Sequence, residues 1–407
     1  MNNFNEEKLP EGWEVKSLAD IGNIFSGNSI NTKLKEEKYT NKEGTPYVAT
    51  KDISYNSVIN YDNGINIPLD DVNKFRLAKS ETILICAEGG SAGRKVGILN
   101  QDVYFVNKLF ALETISEVNS KFCFYWYLSK EFKSNFKDKL KGLIGGVSKT
   151  DFKNLPIPIP PLKEQKRIIA RIDTLFAKID KAISLTEESL KQAENLLPSL
   201  LAEIFSRLSV KNKLVELSEL CDFKNGFAFK SKEFNKVGDG IQVLRIGNVL
   251  DVDKNPVFIE EKDAYRDYML NKNDIVISMT GTRLKKDYLF VRVIKNEPFY
   301  LNQRVGKISS KPTNYYMYIY FYLKSNMFRS EVFKYETGAV NQGNISGKTI
   351  MKMVIPKVDI DAQKEIANKC LDVSNQSKQT QSKLEEQLGY LKQLKSSILS
   401  KAFKGEL

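Results

Sequence analysis

Apolar positions along this chain follow two rhythms, and each rhythm occurs twice. WEVKSLADIGNIFSG, Trp13 to Gly27, is a strand-like run closed by glycine, and it returns as NKLVELSELCDFKNG, Asn212 to Gly226. Leu18 then lies over Leu217 and Gly27 over Gly226. ETILICAEGGSAGRKVGIL (Glu81–Leu99) and NDIVISMTGTRLKKDYLFV (Asn273–Val291) each read as an apolar strand, a glycine-containing basic turn and a second strand. FYWYLSKEF (Phe124–Phe132) and YFYLKSNMF (Tyr320–Phe328) predict short aromatic helices. GGVSKTDFKNLPIP and GNISGKTIMKMVIP close the two copies with glycines, a serine and a proline-terminated strand.

The second rhythm spaces apolar residues alternately three and four apart, which predicts a heptad seam sustained for about five repeats. Its first copy runs Ile172, Leu175, Ile179, Ile183, Thr186, Leu190, Ala193, Leu197, Leu200 and Ile204. Its second runs Ile366, Cys370, Val373, Ser377, Thr380, Leu384, Gln387, Leu391, Leu394 and Ile398, with a weak polar middle. Each would be a helix of roughly 40 residues, about 60 Å long at 1.5 Å per residue. The two can pair antiparallel within the chain. Pro198 predicts a kink or break near Leu197.

Where the rhythms meet, PIPPLKEQKRI (Pro158–Ile168) matches VIPKVDIDAQKEI (Val354–Ile366): Gln165 falls on Gln363, Lys166 on Lys364 and Ile168 on Ile366. The prolines end a strand, exclude helix before Leu162 and fix where the helix departs. The fold class that follows is α+β: two similar mixed domains separated by two long helices that pair as an antiparallel coiled coil. The boundaries are 1–158 for the first domain, 159–208 for the first helix, 209–357 for the second domain and 358–407 for the second helix. A repeat near 200 residues is a duplicated domain, not a solenoid unit.

Composition narrows the chemistry. Histidine is absent and the four cysteines, Cys86, Cys123, Cys221 and Cys370, show no Cys-x-x-Cys spacing, so a Cys/His zinc site is excluded and no Ser-His or Cys-His pair exists. The N-terminus MNNFNEEKLP lacks a signal-peptide core and no run approaches twenty apolar residues, which predicts a cytoplasmic protein without a membrane span. The net charge is +12, of which +9 falls within residues 211–357. That concentration points to a polyanion-binding surface.

No cofactor motif stands up. GNISGKT (Gly343–Thr349) has only three residues between its glycines, too few for a P-loop, and a strand follows where a phosphate-binding helix is required. NPVF (Asn255–Phe258) lacks the second proline of the adenine methyltransferase motif and any preceding glycine-rich turn. The basic turns carry more: Arg94 and Lys95 in one copy, Arg283, Lys285 and Lys286 in the other, sit beside glycines that let a hairpin tip approach a surface. Lys149, Lys224, Lys230, Arg245 and Arg304 add to the basic candidates. Arginine reads guanine edges and lysine meets phosphates, while Asn248, Asn302, Gln303, Asn341, Gln342 and Asn344 are amides suited to adenine. Ile169, Leu185, Leu196, Leu201, Phe205, Leu371, Leu388, Tyr390, Leu399 and Phe403 lie off the helix seams. They either broaden the core face or dock a partner's helices; Ile169, Leu185, Leu201, Phe205, Leu388, Tyr390, Leu399 and Phe403 are the docking candidates.

The repeated proline junction, the GGVSK and GNISGK closures and the C-terminal SILSKAFKGEL together resemble the specificity subunits of Type I restriction-modification systems, over essentially the full length. The resemblance implies two target recognition domains that each read half of a split DNA sequence, with the helices as a ruler. It also implies two modification subunits, whose S-adenosylmethionine-dependent adenine methylation supplies the chemistry, and ATP-dependent restriction subunits that cut DNA. The chain itself would catalyse nothing and need no cofactor. A stand-alone methyltransferase or nuclease, and a coiled-coil adaptor without a DNA role, are the competing readings. The counterpart of SKAFKGEL at the end of the first helix reads AEIFSRLSV, a departure from the pattern.

Overall fold

The computed structural model describes residues 9–142, 145–283, 285–296, 298–339 and 341–407. The chain forms two compact units, one of residues up to Thr186 with Glu386–Leu407, the other of Glu187–Glu385. Each contains one mixed domain and part of each long helix.

In the first unit β1 (Glu14–Ser17) pairs antiparallel with the proline-terminated strand β10 (Pro156–Ile159). A two-stranded ribbon has free edges, so prolines that cannot donate to a ladder are tolerated there. The main sheet is antiparallel in the order β2 (Gly22–Ser26), β9 (Leu109–Thr114), β6 (Ile83–Cys86), β7 (Val96–Ile98). Its central strand β6 is buried at every position, which is why ILIC reads as a continuous apolar run. A second sheet orders β4 (Asn66–Ile67), β3 (Thr45–Val48), β8 (Val103–Phe105) and β5 (Leu77–Ala78), with β3 and β8 parallel. The helical turn α1 (Thr32–Leu34) follows β2; α2 (Ser120–Leu128) and α3 (Lys130–Lys137) follow β9. The short α4 (Lys149–Lys153), N-capped by Ser148, precedes β10. The helix α5 (Leu162–Lys211) begins immediately after that strand.

The second unit repeats this plan. β11 (Leu214–Glu216) pairs with β21 (Val354–Pro356), and the turn α6 (Leu217–Leu220) leads to β12 (Cys221–Asn225). The main sheet orders β12, β19 (Val305–Ser310), β15 (Ile275–Ser278) and β17 (Val291–Val293), the same sequence of strands as in the first unit. The smaller sheet is β14 (Phe258–Ile259), β13 (Ile241–Leu244) and β18 (Phe299–Leu301), again with one parallel pair. A short ribbon of β16 (Thr280–Gly281) and β20 (Gly343–Asn344) is added. Helices α7 (Tyr316–Lys324), α8 (Asn326–Val332) and α9 (Gly347–Met351, capped by Ser346) precede β21, and α10 (Ile360–Ala402) completes the set.

The duplicated glutamine at the junction has a physical cause. Gln165 is fully buried: its Oε1 accepts from Asn119 N at 2.8 Å, and its Nε2 donates to Pro160 O at 2.9 Å and Glu117 O at 3.1 Å. Gln363, equally buried, accepts from Tyr315 N at 2.8 Å and donates to Val358 O and Asn314 Oδ1, both at 3.0 Å. Each glutamine thus ties the start of its long helix to the loop before the aromatic helix. A side chain offering an acceptor and two donors at this reach satisfies groups that burial would otherwise strand.

The helices run antiparallel within each unit. In the first, Arg167 Nη2 donates to Leu407 O at 2.8 Å and Asp180 is ion-paired with Lys395. In the second, Ser377 Oγ donates to Ala193 O at 2.6 Å. The seam of α5 is buried or half-buried at every predicted position. That of α10 is corrected at alternate positions. Cys370, Ser377, Leu384, Leu391 and Ile398 face inward as expected, but their alternates are Ala367, Ser374, Gln381, Leu388 and Lys395, one residue beyond those read from the apolar pattern. Thr380, Gln387 and Leu394 are exposed.

Pro198 does not break α5, which is helical on both sides of it. Its missing N–H forfeits one bond to Glu194, a loss that the packing of Leu201, Ile204 and Phe205 into the core offsets.

Five proposed docking residues are core residues instead. Ile169, Leu399 and Phe403 pack in the first unit and Leu201 and Phe205 in the second. Phe403 sits 5.1 Å from the Phe122 ring and 5.0 Å from Trp126. Phe205 sits 5.7 Å from Tyr318 and 5.3 Å from Tyr322. The far end of each helix therefore seals the aromatic helix of a domain, so AEIF and SKAF do the same work despite their different letters. Leu388 is half-buried, whereas Leu185 and Tyr390 are exposed at 54% and 62%.

Candidate nucleic-acid interface

The predicted DNA-contacting residues do not form one cluster. What gathers the largest group is a three-residue connection, Asn302–Arg304, between β18 of the small sheet and β19 of the main sheet. Backbone bonds hold it on all sides: Gln303 N donates to Phe227 O at 2.9 Å, Met279 N to Arg304 O at 3.0 Å and Asn302 N to Leu244 O at 3.3 Å. Gly226 is needed beside it, because a Cβ there would lie 2.0 Å from Asn302 O.

Two open depressions meet at Gln303 and Arg304. One, about 560 Å³, is lined also by Asn225, Thr280, Asn344, Ser346 and Lys348; the other, about 360 Å³, by Arg245, Asn248, Lys254, Asn255 and Asn302. The side chains of Gln303 and Arg304 are exposed, and among the described residues neither has a hydrogen-bond or ion-pair partner. A rigid backbone carrying two unsatisfied polar side chains is what reading a surface by hydrogen bonds requires.

Asn248, offered as an adenine reader, is corrected. It is 1% exposed, its Nδ2 donates to Lys254 O at 2.8 Å and Val252 O at 3.2 Å, and its Oδ1 accepts from Arg245 N. It shapes the loop and presents no edge to a ligand. Asp52 takes the matching place in the first unit, accepting from Ala49 N and Asn63 Nδ2, both at 2.8 Å. Arg245 lines the smaller depression; it donates through Nη2 to Asn255 O, while its buried Nε makes no hydrogen bond. Asn344 accepts from Thr280 Oγ1 at 2.8 Å.

The other candidates lie apart. Arg283 donates to Gly338 O, and its loop is held from within by Arg329, which donates to Leu289 O and Tyr288 O at 3.0 Å and to Lys286 O at 3.2 Å. Burial pulls that guanidinium below its ordinary pKa, and the three carbonyls compensate its desolvation. Lys285 and Lys286 are exposed on the clamped loop, as are Lys149 at the start of α4, Lys230 after β12 and Gln342 before β20. Lys224 lies over the Tyr268 ring at 5.0 Å and 3.9 Å from Asp267, in a separate depression of mixed charge that also holds Lys262, Arg266, Lys307, Glu261 and Asp263. In the first unit Lys95 donates to Thr50 O at 2.9 Å, and the Arg94 guanidinium lies 5.0 Å over the exposed Tyr55.

The sequence reading missed the first unit's own connection, Val106–Lys108, between β8 and β9. Ala87 N donates to Lys108 O at 2.9 Å, as Met279 N does to Arg304 O, and Asn28 N donates to Phe105 O as Phe227 N does to Leu301 O, both at 2.9 Å. Lys108 thus matches Arg304, and Asn107 matches Gln303; both are exposed. The available signal was FVNKL beside LNQRV: a strand end, an amide, a cation and an apolar residue. Arg329 had no signal of its own, since its acceptors are backbone carbonyls brought to it by the fold. Among the described residues no group of three or more His, Cys, Asp or Glu could hold a metal ion, and no helix is long and apolar enough to cross a membrane.

Comparison with known proteins bears on the whole chain. A family model described as the Type I restriction modification DNA specificity domain matches twice, over residues 10–194 and 209–389. The specificity subunit of the Type I restriction enzyme MjaVIII of Methanocaldococcus jannaschii is 27% identical, covering 92% of this chain and 89% of its own. That of EcoKI from Escherichia coli K12 is 24% identical over 98% and 90%. Among solved structures, a chain from work on complex assembly and conformational transition of the type I R-M system superposes with a TM-score of 0.80 at 19% identity, covering 98% of this chain and all of that one. The HsdS subunit from Thermoanaerobacter tengcongensis gives 0.60 at 20% identity, over 98% of each.

Proposed function

Because the chain belongs to the family of Type I restriction-modification DNA specificity subunits, we propose that it is the non-catalytic sequence reader of such an assembly, each unit binding one half of a split, asymmetric DNA target. The observation that carries this reading is one frame built twice with unlike loops: identical order in the main sheets, but Gln-Arg at one strand connection and Asn-Lys at the other. Two unlike surfaces on one chain suit two unlike half-sequences, whereas a symmetric dimer reads a palindrome. Basic side chains supply affinity through phosphates, and loop amides and arginines supply discrimination.

Methylation would then be done by modification subunits docked on this chain, and cleavage by restriction subunits. Of the docking candidates, Leu185 and Tyr390 are exposed and available to meet a partner's helices. Expressing the chain with its modification subunit in a host free of such systems, then sequencing the methylated bases, tests the proposal. The expected outcome is a split motif with methylated adenine, and co-purification that weakens in a Leu185→Asp, Tyr390→Asp double variant. No split motif despite an active modification subunit, or robust S-adenosylmethionine binding by this chain alone, defeats it.

A further inference from the structure

We propose that Gln303 and Arg304 are the base-reading pair of the second unit, and that Asn107 and Lys108 hold the same place in the first. This rests on the preceding reading that each unit binds one half-sequence. The other two arginine candidates in the second unit, Arg245 and Arg283, donate to backbone carbonyls, Lys224 is ion-paired with Asp267, and the exposed Lys230, Lys285 and Lys286 carry no guanidinium fork. Arg304 keeps its guanidinium free at the meeting point of two depressions, on a backbone fixed by the main sheet.

The chemistry of the pair names its ligand. A free guanidinium donates two parallel bonds to guanine O6 and N7, and a free glutamine amide donates to and accepts from adenine N7 and N6. The adjacent pair therefore fits neighbouring purines in a major groove. In the first unit Asn107 Oδ1 already accepts from Ser29 Oγ at 2.8 Å, leaving its amide donors to face outward. Lys108 has a single charged head and no fork, so this pair can meet acceptors such as guanine or thymine oxygens but discriminates less sharply.

The test uses the complex of this chain with its modification subunit and a DNA pool randomised at both half-sites. Arg304→Ala should lower discrimination about ten-fold or more at one guanine of one half-site, with the other half-site and the spacing unchanged. Arg304→Lys, which keeps the charge and fold but not the fork, should lose the same discrimination while retaining salt-dependent binding to unrelated DNA. Gln303→Ala should relax a neighbouring position of that half-site, and Lys108→Ala should affect only the other. Unchanged base preference in folded Arg304→Ala, or uniform weakening that Arg304→Lys restores, overturns the inference while leaving the two-half-site reading intact. A wild-type complex without bipartite preference overturns both.

Discussion

The two units share what lies inside and differ in what faces out. Each has a buried glutamine joining helix to loop, a phenylalanine from a helix end under an aromatic helix, and a glycine pressed against a strand-end carbonyl. None of these can vary freely, because each fills a space or satisfies a backbone group that no other side chain present can reach. Arg304 and Lys108 obey no such constraint: their backbones are fixed and their side chains are free. A duplicated scaffold can diverge at such positions at little cost in stability.

The comparison is best broken where equivalence costs most. Phe403→Ala and Phe205→Ala should each destabilise their own unit by about 3–5 kcal/mol, through lost burial and a cavity beneath an aromatic helix. Hydrogen exchange checks this, with protection falling in Ser120–Leu128 for the first and in Tyr316–Lys324 for the second. Equal loss in both segments from either variant would mean the units are not separate.

Gln165→Leu and Gln363→Leu come next, each stranding buried backbone groups at about 1–3 kcal/mol for every group left unpaired. Chemical denaturation should show similar losses for the two, and a large asymmetry would show that the junctions are alike only in sequence. The smallest effect sharpens a difference. Arg329 and Lys133 both lie four residues after a capping serine, Ser325 and Ser129, yet only Arg329 holds a loop. Arg329→Met should make local opening of the Lys286–Leu289 loop about ten-fold easier, the equivalent of about 1.4 kcal/mol and near the lower end for hydrogen bonds to a charged group. Lys133→Met should change local exchange in its own unit by less than about two-fold.

The architecture was legible because strands, glycines and proline junctions leave local marks that recur 192 to 199 residues apart. The inner register of α10 was half legible. Its inward alternates include Ala367, Ser374, Gln381 and Lys395, and a search for apolar letters steps past them to Ile366, Val373 and Leu394. Small and polar residues enter that seam because the helices approach closely, as the bond from Ser377 to Ala193 O requires. The candidate site was less legible still. Asn248 and Gln303 are both loop amides in sequence, and only the surrounding carbonyls distinguish a buried loop organiser from an exposed reader. Asn107 and Lys108 left only the faint likeness of FVNKL to LNQRV, which gains weight once β8 and β9 are seen to correspond to β18 and β19.

The return of Glu386–Leu407 to the first unit also sets an order of events during synthesis. Residues 1–186 leave the ribosome first, but the surface formed by Phe122 and Trp126 waits for Phe403, about 280 residues after Phe122 by their numbering. The second unit lies within one contiguous segment and can close earlier, with Phe205 already made when Tyr318 emerges. Until then a nascent chain exposes an aromatic patch that chaperones and proteases recognise, so a chain cut short before Phe403 carries its own mark for disposal.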